Sequence, residues 1–190
     1  MMRGQNRRRV VKPYVIGIAG RAGSGKNLFA ALLASELLNL GYTVKLDAFA
    51  TPIKREARKL LGYDGVKSTH MRWALQTMGD VMSGADGFAL IHRLVGHAGG
   101  EDVLIVCDVR RRQEAGWAAN HGRLCLVTGR EMALEASVAA HKTEAVEQAV
   151  EGLGATVVNN HGDLDALQTQ ARTVAHDVGE VIKRQAGGGE

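Results

Sequence analysis

The stretch "YVIGIAGRAGSGKN", Tyr14 to Asn27, decides how the rest of the chain is read. Tyr14 to Gly20 is a short apolar run ending in glycine, the pattern of a buried strand entering a turn. From Lys26 on, apolar residues fall at Leu28, Phe29, Leu32, Leu33, Leu37 and Leu40, a helical spacing that Gly41 stops. Between strand and helix, Gly20-Arg-Ala-Gly-Ser-Gly25-Lys26 satisfies the G-x4-G-K core of a phosphate-cradling loop, in the context such a loop requires. Its glycines let successive backbone N–H groups turn inward around an anion, and the helix N-terminus adds positive potential. Arg21, Ala22, Gly23, Ser24, Gly25, Lys26, Asn27 and Leu28 are the expected nucleotide-binding residues, with Lys26 reaching the β and γ phosphates. A dinucleotide fingerprint is not readable here, because Gly23-x-Gly25 is followed by Leu28. The pattern asks for Ser or Thr after Gly-Lys, whose hydroxyl binds Mg²⁺; this chain has Asn27. An amide oxygen can still ligate the ion or accept from its water.

Outward from the loop, strand and helix patterns alternate. "YTVKLDAF" (Tyr42 to Phe49) reads as a second strand, Pro52 opens a helical stretch through Leu61, and Ser68 to Leu94 is mostly helical with breaks near Gly84 and Gly87. "DVLIVCDVR" (Asp102 to Arg110) and "RLCLVTGR" (Arg123 to Arg130) are a third and a fourth strand. Glu131 to Val150 reads as helix with an interruption, and "ATVVNN" (Ala155 to Asn160) as a fifth strand. Asp163 caps a last helix running from about Leu164 to Arg184. Strands that are nearly all apolar, alternating with helices, imply a five-stranded parallel sheet covered on both faces. Ligands bind such sheets beyond the carboxyl ends of the strands. Those ends carry Arg21 to Asn27, Asp47, Asp108 to Arg112, Thr128 to Arg130 and Asn159 to His161.

A chain of 190 residues, 45% hydrophobic and 23% charged, fits one domain over residues 13–184, between a basic arm (1–12) and a short tail (185–190). The net charge of +4 owes part of its excess to Arg3, Arg7, Arg8, Arg9 and Lys12. Such an arm can touch nucleic acid, but a solvated tail is the expected reading. Cys107 and Cys125 lie inside apolar runs with no CxxC spacing, which points to neither a metal site nor a disulfide, and to a reducing cytoplasm. No apolar run approaches a membrane span, and the arginine-rich start lacks the apolar segment of a secretory signal.

Asp108 ends a strongly apolar strand, where a carboxylate can act on a nucleotide-bound Mg²⁺; the alternative is an aspartate capping the next turn. Phosphoryl transfer depends on positioning and charge stabilisation. A phosphate acceptor brings its own nucleophilic oxygen, so two polyanions must meet and no general base is needed. The chain offers Arg21, Lys54, Arg55, Arg58, Arg72, Arg110, Arg111, Arg112 and Arg130 for that purpose. Beside Asp108 no water-positioning glutamine is evident, although Gln113 is near, so a small-molecule kinase is favoured over a hydrolytic switch.

From Tyr14 to Thr173 the chain resembles the phage-type deoxynucleoside monophosphate kinases of the P-loop nucleoside monophosphate kinase superfamily. "GRAGSGKN" is similar to a family loop in which Asp follows Gly-Lys and Thr comes next; Leu28 departs from it. "DAFATPIKREARKLLG" resembles a Phe-Ala-x-Pro-Leu-Lys segment, "MRWALQTMGD" an Arg-x-x-Leu-Gln-x-x-Gly segment lining the acceptor, and "DVRRRQEA" an Asp-Val-Arg-Phe-x-x-Glu-Ala segment. "HKTEA" resembles a His-x-Ser-Glu motif at His141, Thr143 and Glu144, and "VVNNHGDLDAL" matches at Asn160 and Gly162. Where the family has Gly-Thr, this chain has Gly79-Asp80.

The resemblance implies a P-loop NTPase fold with a helical acceptor-binding insertion after strand two, and ATP and Mg²⁺ as cofactors. It implies catalytic roles for Lys26, Asp108, Arg110 and Arg130, a nucleotide contact by Asn160, and Asn27 and Asp108 at the metal. Asp47, Phe49, Lys54, Arg72, Gln76 and Trp73 would face the acceptor; for Trp73 a core role on an amphipathic helix is the favoured reading over stacking on the base. Residues 130–141 form a lid or a plain helix. A homodimer is left open, as is a bacterial host cytoplasm for a phage-encoded protein. Alternatives are a dephospho-coenzyme-A kinase or other metabolite kinase, a simple ATPase, and a non-enzymatic nucleotide-binding or DNA-associated regulator. The coenzyme-A enzymes usually carry Asp-x-Pro-Leu-Leu where this chain reads "DVRRRQEA".

Overall fold

The computed structural model describes residues 12–85, 87–96, 99–129 and 146–187. The basic residues before Lys12, Arg130, the 130–141 segment, His141, Thr143, Glu144 and the last three residues lie outside them.

The elements, in order, are β1 (Tyr14–Ala19), α1 (Lys26–Asn39), β2 (Val44–Ala48), α2 (Ala50–Leu61), α3 (Thr69–Ser83), α4 (Ala89–Val95), β3 (Val103–Val109), α5 (Arg112–His121), β4 (Gly122–Gly129), α6 (Val146–Val150), β5 (Thr156–Asn160) and α7 (Leu164–Gly187). All five strands are parallel, in the order β2-β3-β1-β4-β5. The two strands that flank β1, β3 and β4, come later in the chain, so the end of β1 sits at the centre of the sheet's carboxyl edge.

Side-chain alternation along the strands divides the core into two layers. On one face Ile16, Ile18, Val103, Ile105, Cys125 and Val127 pack under Phe29, Leu33 and Leu37 of α1 and Leu167, Ala171, Val174 and Val178 of α7. On the other, Val15, Ala19, Leu104, Val106 and Leu124 pack under Phe49, Ile53, Leu90, Leu94, Ala115 and Ala118. Burying one such leucine or phenylalanine contributes about 1.5–3 kcal/mol, so both helical layers are held by the sheet rather than by helix propensity.

Local signals account for most boundaries. Ser68 accepts from the Met71 N–H (3.3 Å) at the start of α3, and Asp163 accepts from the Ala166 N–H (2.9 Å) at the start of α7. The break at Gly84 and Gly87 separates α3 from α4 as the pattern implies. α7 continues three residues past the expected Arg184, to Gly187. α5 is not anticipated in the sequence reading. "RQEAGWAANH" is mostly polar or small, and only Ala115 and Ala118 are fully buried, against β1, so it shows no apolar stripe.

Cys107 and Cys125 are both free and buried. Each is paired with Ile18, from opposite sides of β1. Two strand spacings, about 9–10 Å, therefore separate them, beyond disulfide reach. Burial pushes both thiols up to about 12, so they are inert packing groups.

β3 is interrupted where it matters for function. Ile18 pairs with Cys107 but Ala19 pairs with Val109, so Asp108 is an extra residue in a bulge. Its φ is +62°, and among the described residues no other non-glycine has a positive φ. Without the bulge, period-two alternation would place Asp108 on the same face as Leu104 and Val106. Instead Val109 joins that core and Asp108 is turned out at the strand end. Aspartate tolerates the left-handed region better than most residues, at a cost of about 1 kcal/mol.

Candidate functional site

The loop Gly20–Lys26 leaves β1 and wraps onto the first turn of α1. Gly25 precedes the helix with φ +87°. A side chain there would strike the Asn160 amide, and one at Gly20 would come within 2.7 Å of the Val127 carbonyl oxygen. Only glycine permits this path. Asn160, at the end of β5, donates from Nδ2 to the Ser24 carbonyl oxygen at 2.9 Å. It thus holds the loop backbone, a positioning contact that the strand order makes possible. Ser24 and Lys26 are buried, while Ala22 and Gly25 are half-buried and Arg21, Gly23, Asn27 and Leu28 are exposed. Arg21 pairs with Glu147 of α6 at 2.8 Å, which ties the loop to a second element.

Lys26 connects the loop to β3. Its Nζ lies 3.4 Å from Asp108 Oδ1 and donates to the Arg21 carbonyl at 3.3 Å. Arg110 Nη2 approaches the same carboxylate oxygen at 3.8 Å. Burial would push the Asp108 carboxyl up, but Arg110, Lys26, Lys54 and Lys67 together outweigh it and hold the group below its ordinary value near 3.8.

Beyond Asp108 opens a cleft of about 750 Å³, the open solvent at its mouth included, lined by Phe49, Ile53, Lys54, Lys67, Arg72, Leu75, Gln76, Gly79, Leu90, Arg110, Arg111 and Glu114 among others. Its lining combines apolar side chains with five cationic ones. Of the residues expected at an acceptor, Phe49, Lys54, Arg72 and Gln76 line it, as does Arg110. Phe49 is buried and meets the Trp117 ring edge-on at 6.0 Å. Two expected residues are not in the lining. Asp47 instead accepts from the neighbouring Ala48 N–H at 2.8 Å. Trp73 is 60% exposed, so it stacks on neither a cleft nor a core. It falls on the outer side of α3, one residue round from Arg72.

Arg111 and Glu114 carry the support of this wall. Glu114 is buried and accepts from the Arg110 and Arg111 N–H groups at 2.9 and 3.1 Å, closing the start of α5. Burial pushes its carboxyl up despite those two bonds and the neighbouring guanidinium groups. Arg111 pairs with Asp80 of α3 and lies 3.9 Å from Glu114. Arg111 and Asp80 occupy the positions where the resemblance would place Phe and Thr. The two departures meet and compensate each other, joining α3 to the strand end that carries Asp108. Neither residue could be paired from sequence, because 31 positions separate them. Lys67, the one lysine of the α2–α3 loop, belongs to no motif in the sequence, and only the fold places it in the cleft lining.

No family model matches the chain, and no curated protein matches it. Among solved structures, a thymidylate kinase from Ehrlichia chaffeensis is similar, at 14% identity and a TM-score of 0.46, with 86% of this chain and 99% of that one covered. Among the described residues, no helix is long and apolar enough to cross a membrane, and no group of three or more His, Cys, Asp or Glu side chains is placed to hold a metal ion.

Two predictions come from this geometry. A carboxyl with a depressed folded-state value stabilises the fold fully above its unfolded value and loses that contribution as pH falls through the folded one. Wild type should therefore lose stability relative to Asp108→Asn as pH falls from about 5 to below the ordinary aspartate value of 3.8, read as converging or crossing melting temperatures. For the strut, a double-mutant cycle of Arg111→Met and Asp80→Asn in urea should show a coupling of about 1–2 kcal/mol. Simple additivity would mean that the pair does not join α3 to β3.

Proposed function

We propose that the protein transfers the γ-phosphoryl group of ATP to a nucleoside or deoxynucleoside monophosphate, giving the diphosphate. The observation that carries this reading is the buried Lys26–Asp108 pair. It joins the G-x4-G-K loop to a cleft whose wall carries both cationic and apolar side chains. A hydrolase needs only the loop and a positioned water; a second, charged cleft beside it suits a second anionic substrate.

The loop N–H groups and Lys26 would hold the ATP phosphates, on a backbone path that side chains at Gly20 or Gly25 would block by striking Val127 and Asn160. Lys54, Arg72 and Arg110 would neutralise the acceptor phosphate. Phe49, Leu75 and Leu90 would enclose the base, and Gln76 would meet its polar edge. The acceptor oxygen is already anionic, so no residue need remove a proton. It attacks the γ phosphorus as the bond to the β–γ bridging oxygen breaks, and the electron pair leaves on ADP. Lys26 and Arg110 stabilise the charge spread over the transferring group.

The oxygen donors available fit Mg²⁺. One ionised carboxylate, Asp108, and one exposed amide in the first turn of α1, Asn27, suit an ion that takes most of its remaining ligands from phosphates and water. Mg²⁺ bound there would supply charge neutralisation on the β and γ phosphates.

The test incubates the full chain with ATP, Mg²⁺ and each monophosphate in turn and separates the products. A diphosphate from at least one acceptor is expected. Lys26→Met should lower kcat by on the order of 10²–10⁴. Its fold should persist, because Asp108 keeps Arg110, Lys54 and Lys67 nearby. ATP hydrolysis that no acceptor changes would replace this reading with an ATPase.

A further inference from the structure

Lys67 stands in the loop between α2 and α3, one residue before the Ser68 cap. The loop is folded onto itself by short hydrogen bonds. Tyr63 Oη donates to the Gly65 carbonyl at 3.1 Å, the Val66 N–H donates to Asp64 Oδ1 at 2.8 Å, and Arg72 Nε donates to the Lys67 carbonyl at 3.2 Å. The last of these comes from a residue that itself lines the cleft, so loop and cleft wall are one unit. The backbone that carries Lys67 is thus held before any ligand arrives, which lowers the cost of ordering the loop on binding and leaves only the exposed side chain to be fixed.

What surrounds it is mostly like charge. The cleft is lined by five cationic side chains, Lys54, Lys67, Arg72, Arg110 and Arg111, against two carboxylates, Asp108 and Glu114. Glu114 is committed to the start of α5 and Arg111 to Asp80. Of the other four cations, Lys54 from α2, Lys67 from the α2–α3 loop and Arg110 from the end of β3 act on Asp108, while Arg72 lines the same cleft from the first turn of α3. Partial burial pushes the Lys67 ammonium below the ordinary lysine range, and Lys54, Arg110 and Arg72 add to this against the opposing pull of Asp108. Such crowding is unfavourable in the unliganded protein and is relieved by an anion of at least two charges.

We propose that Lys67 is an acceptor-binding residue, closing on the acceptor's phosphate from the α2–α3 loop while Lys54 holds it from α2. This rests on reading the cleft as the acceptor site. Two ammonium groups from different elements would each take one non-bridging oxygen and leave the third aimed toward Lys26 and the loop. Lys67 stays protonated throughout and exchanges no proton. Its part is to fix the phosphate, so its loss falls on the acceptor and not on ATP.

The experiment has two arms on the full chain. Kinetics of wild type, Lys67→Gln and Lys67→Arg are measured with varied monophosphate and varied ATP. Lys67→Gln should raise the acceptor KM about tenfold or more, with the ATP KM unchanged and Lys67→Arg recovering most of the loss. In the second arm, lysine acetylation is mapped by mass spectrometry with and without inorganic pyrophosphate, and Lys67 should be protected. Transfer by wild type with an unchanged acceptor KM in Lys67→Gln would overturn the role of Lys67 and leave the kinase reading standing. No transfer to any monophosphate, with Lys67 still protected by pyrophosphate, would overturn the kinase reading and keep Lys67 as an anion ligand. Neither transfer nor protection would overturn both.

Discussion

The ion pair between Lys26 and Asp108 is the contact on which the site depends. It forms because β1 and β3 are neighbours in a parallel sheet, so the loop after one and the last residues of the other leave the same edge. It also needs the bulge in β3, which releases Asp108 from the alternation of the strand and places Val109 in the core in its stead. Taking two charges out of water is costly, and a pair this buried is poor support for stability by itself. A strained backbone conformation and a desolvated carboxylate together are better explained as features of a working site than as packing.

The rest of the cleft follows from that carboxylate. Asp108 stays ionised because cations converge on it from α2, the α2–α3 loop, the loop after β1 and the end of β3. Those same cations exceed what one carboxylate can neutralise. Under the proposed reading, the backbone N–H groups of the loop would take the donor phosphates and the side-chain cations of the cleft the acceptor phosphate. Asn27 fits within it. If Mg²⁺ is held by one neutral amide and one carboxylate, most of its charge would be matched by phosphate oxygens, so nucleotide and ion would bind as a unit.

Much of this was legible in the sequence because the informative segments are short and local. A strand, a G-x4-G-K loop and a helix read directly from Tyr14 to Leu40, and five apolar runs separated by helical patterns gave the five parallel strands. Phe49, Lys54, Arg72 and Gln76 could be placed together because each falls at a fixed offset within a motif. What was not legible depends on tertiary contact. α5 buries only two alanines fully, so no periodicity announces it. Asp47 is at a strand end like Asp108, but β2 has no bulge there and its carboxylate turns back to its own backbone. Trp73 lies next to Arg72 on a helix, and adjacent helical positions point about 100° apart, so one lining the cleft leaves the other outside it. Arg111 and Asp80 look like isolated departures from a pattern until the fold brings them together.

The central claim is that loop and cleft are two halves of one site meeting at Asp108. Calorimetric titration with dinucleoside polyphosphates, adenosine joined through five phosphates to each of the common nucleosides, tests it most directly. The account predicts one-to-one binding of at least one of them, tighter than ATP or the matching monophosphate alone, and weakened by changes at both Lys26 and Lys54. Binding no tighter than that of ATP for every member of the set, with Lys54 without effect, would contradict it.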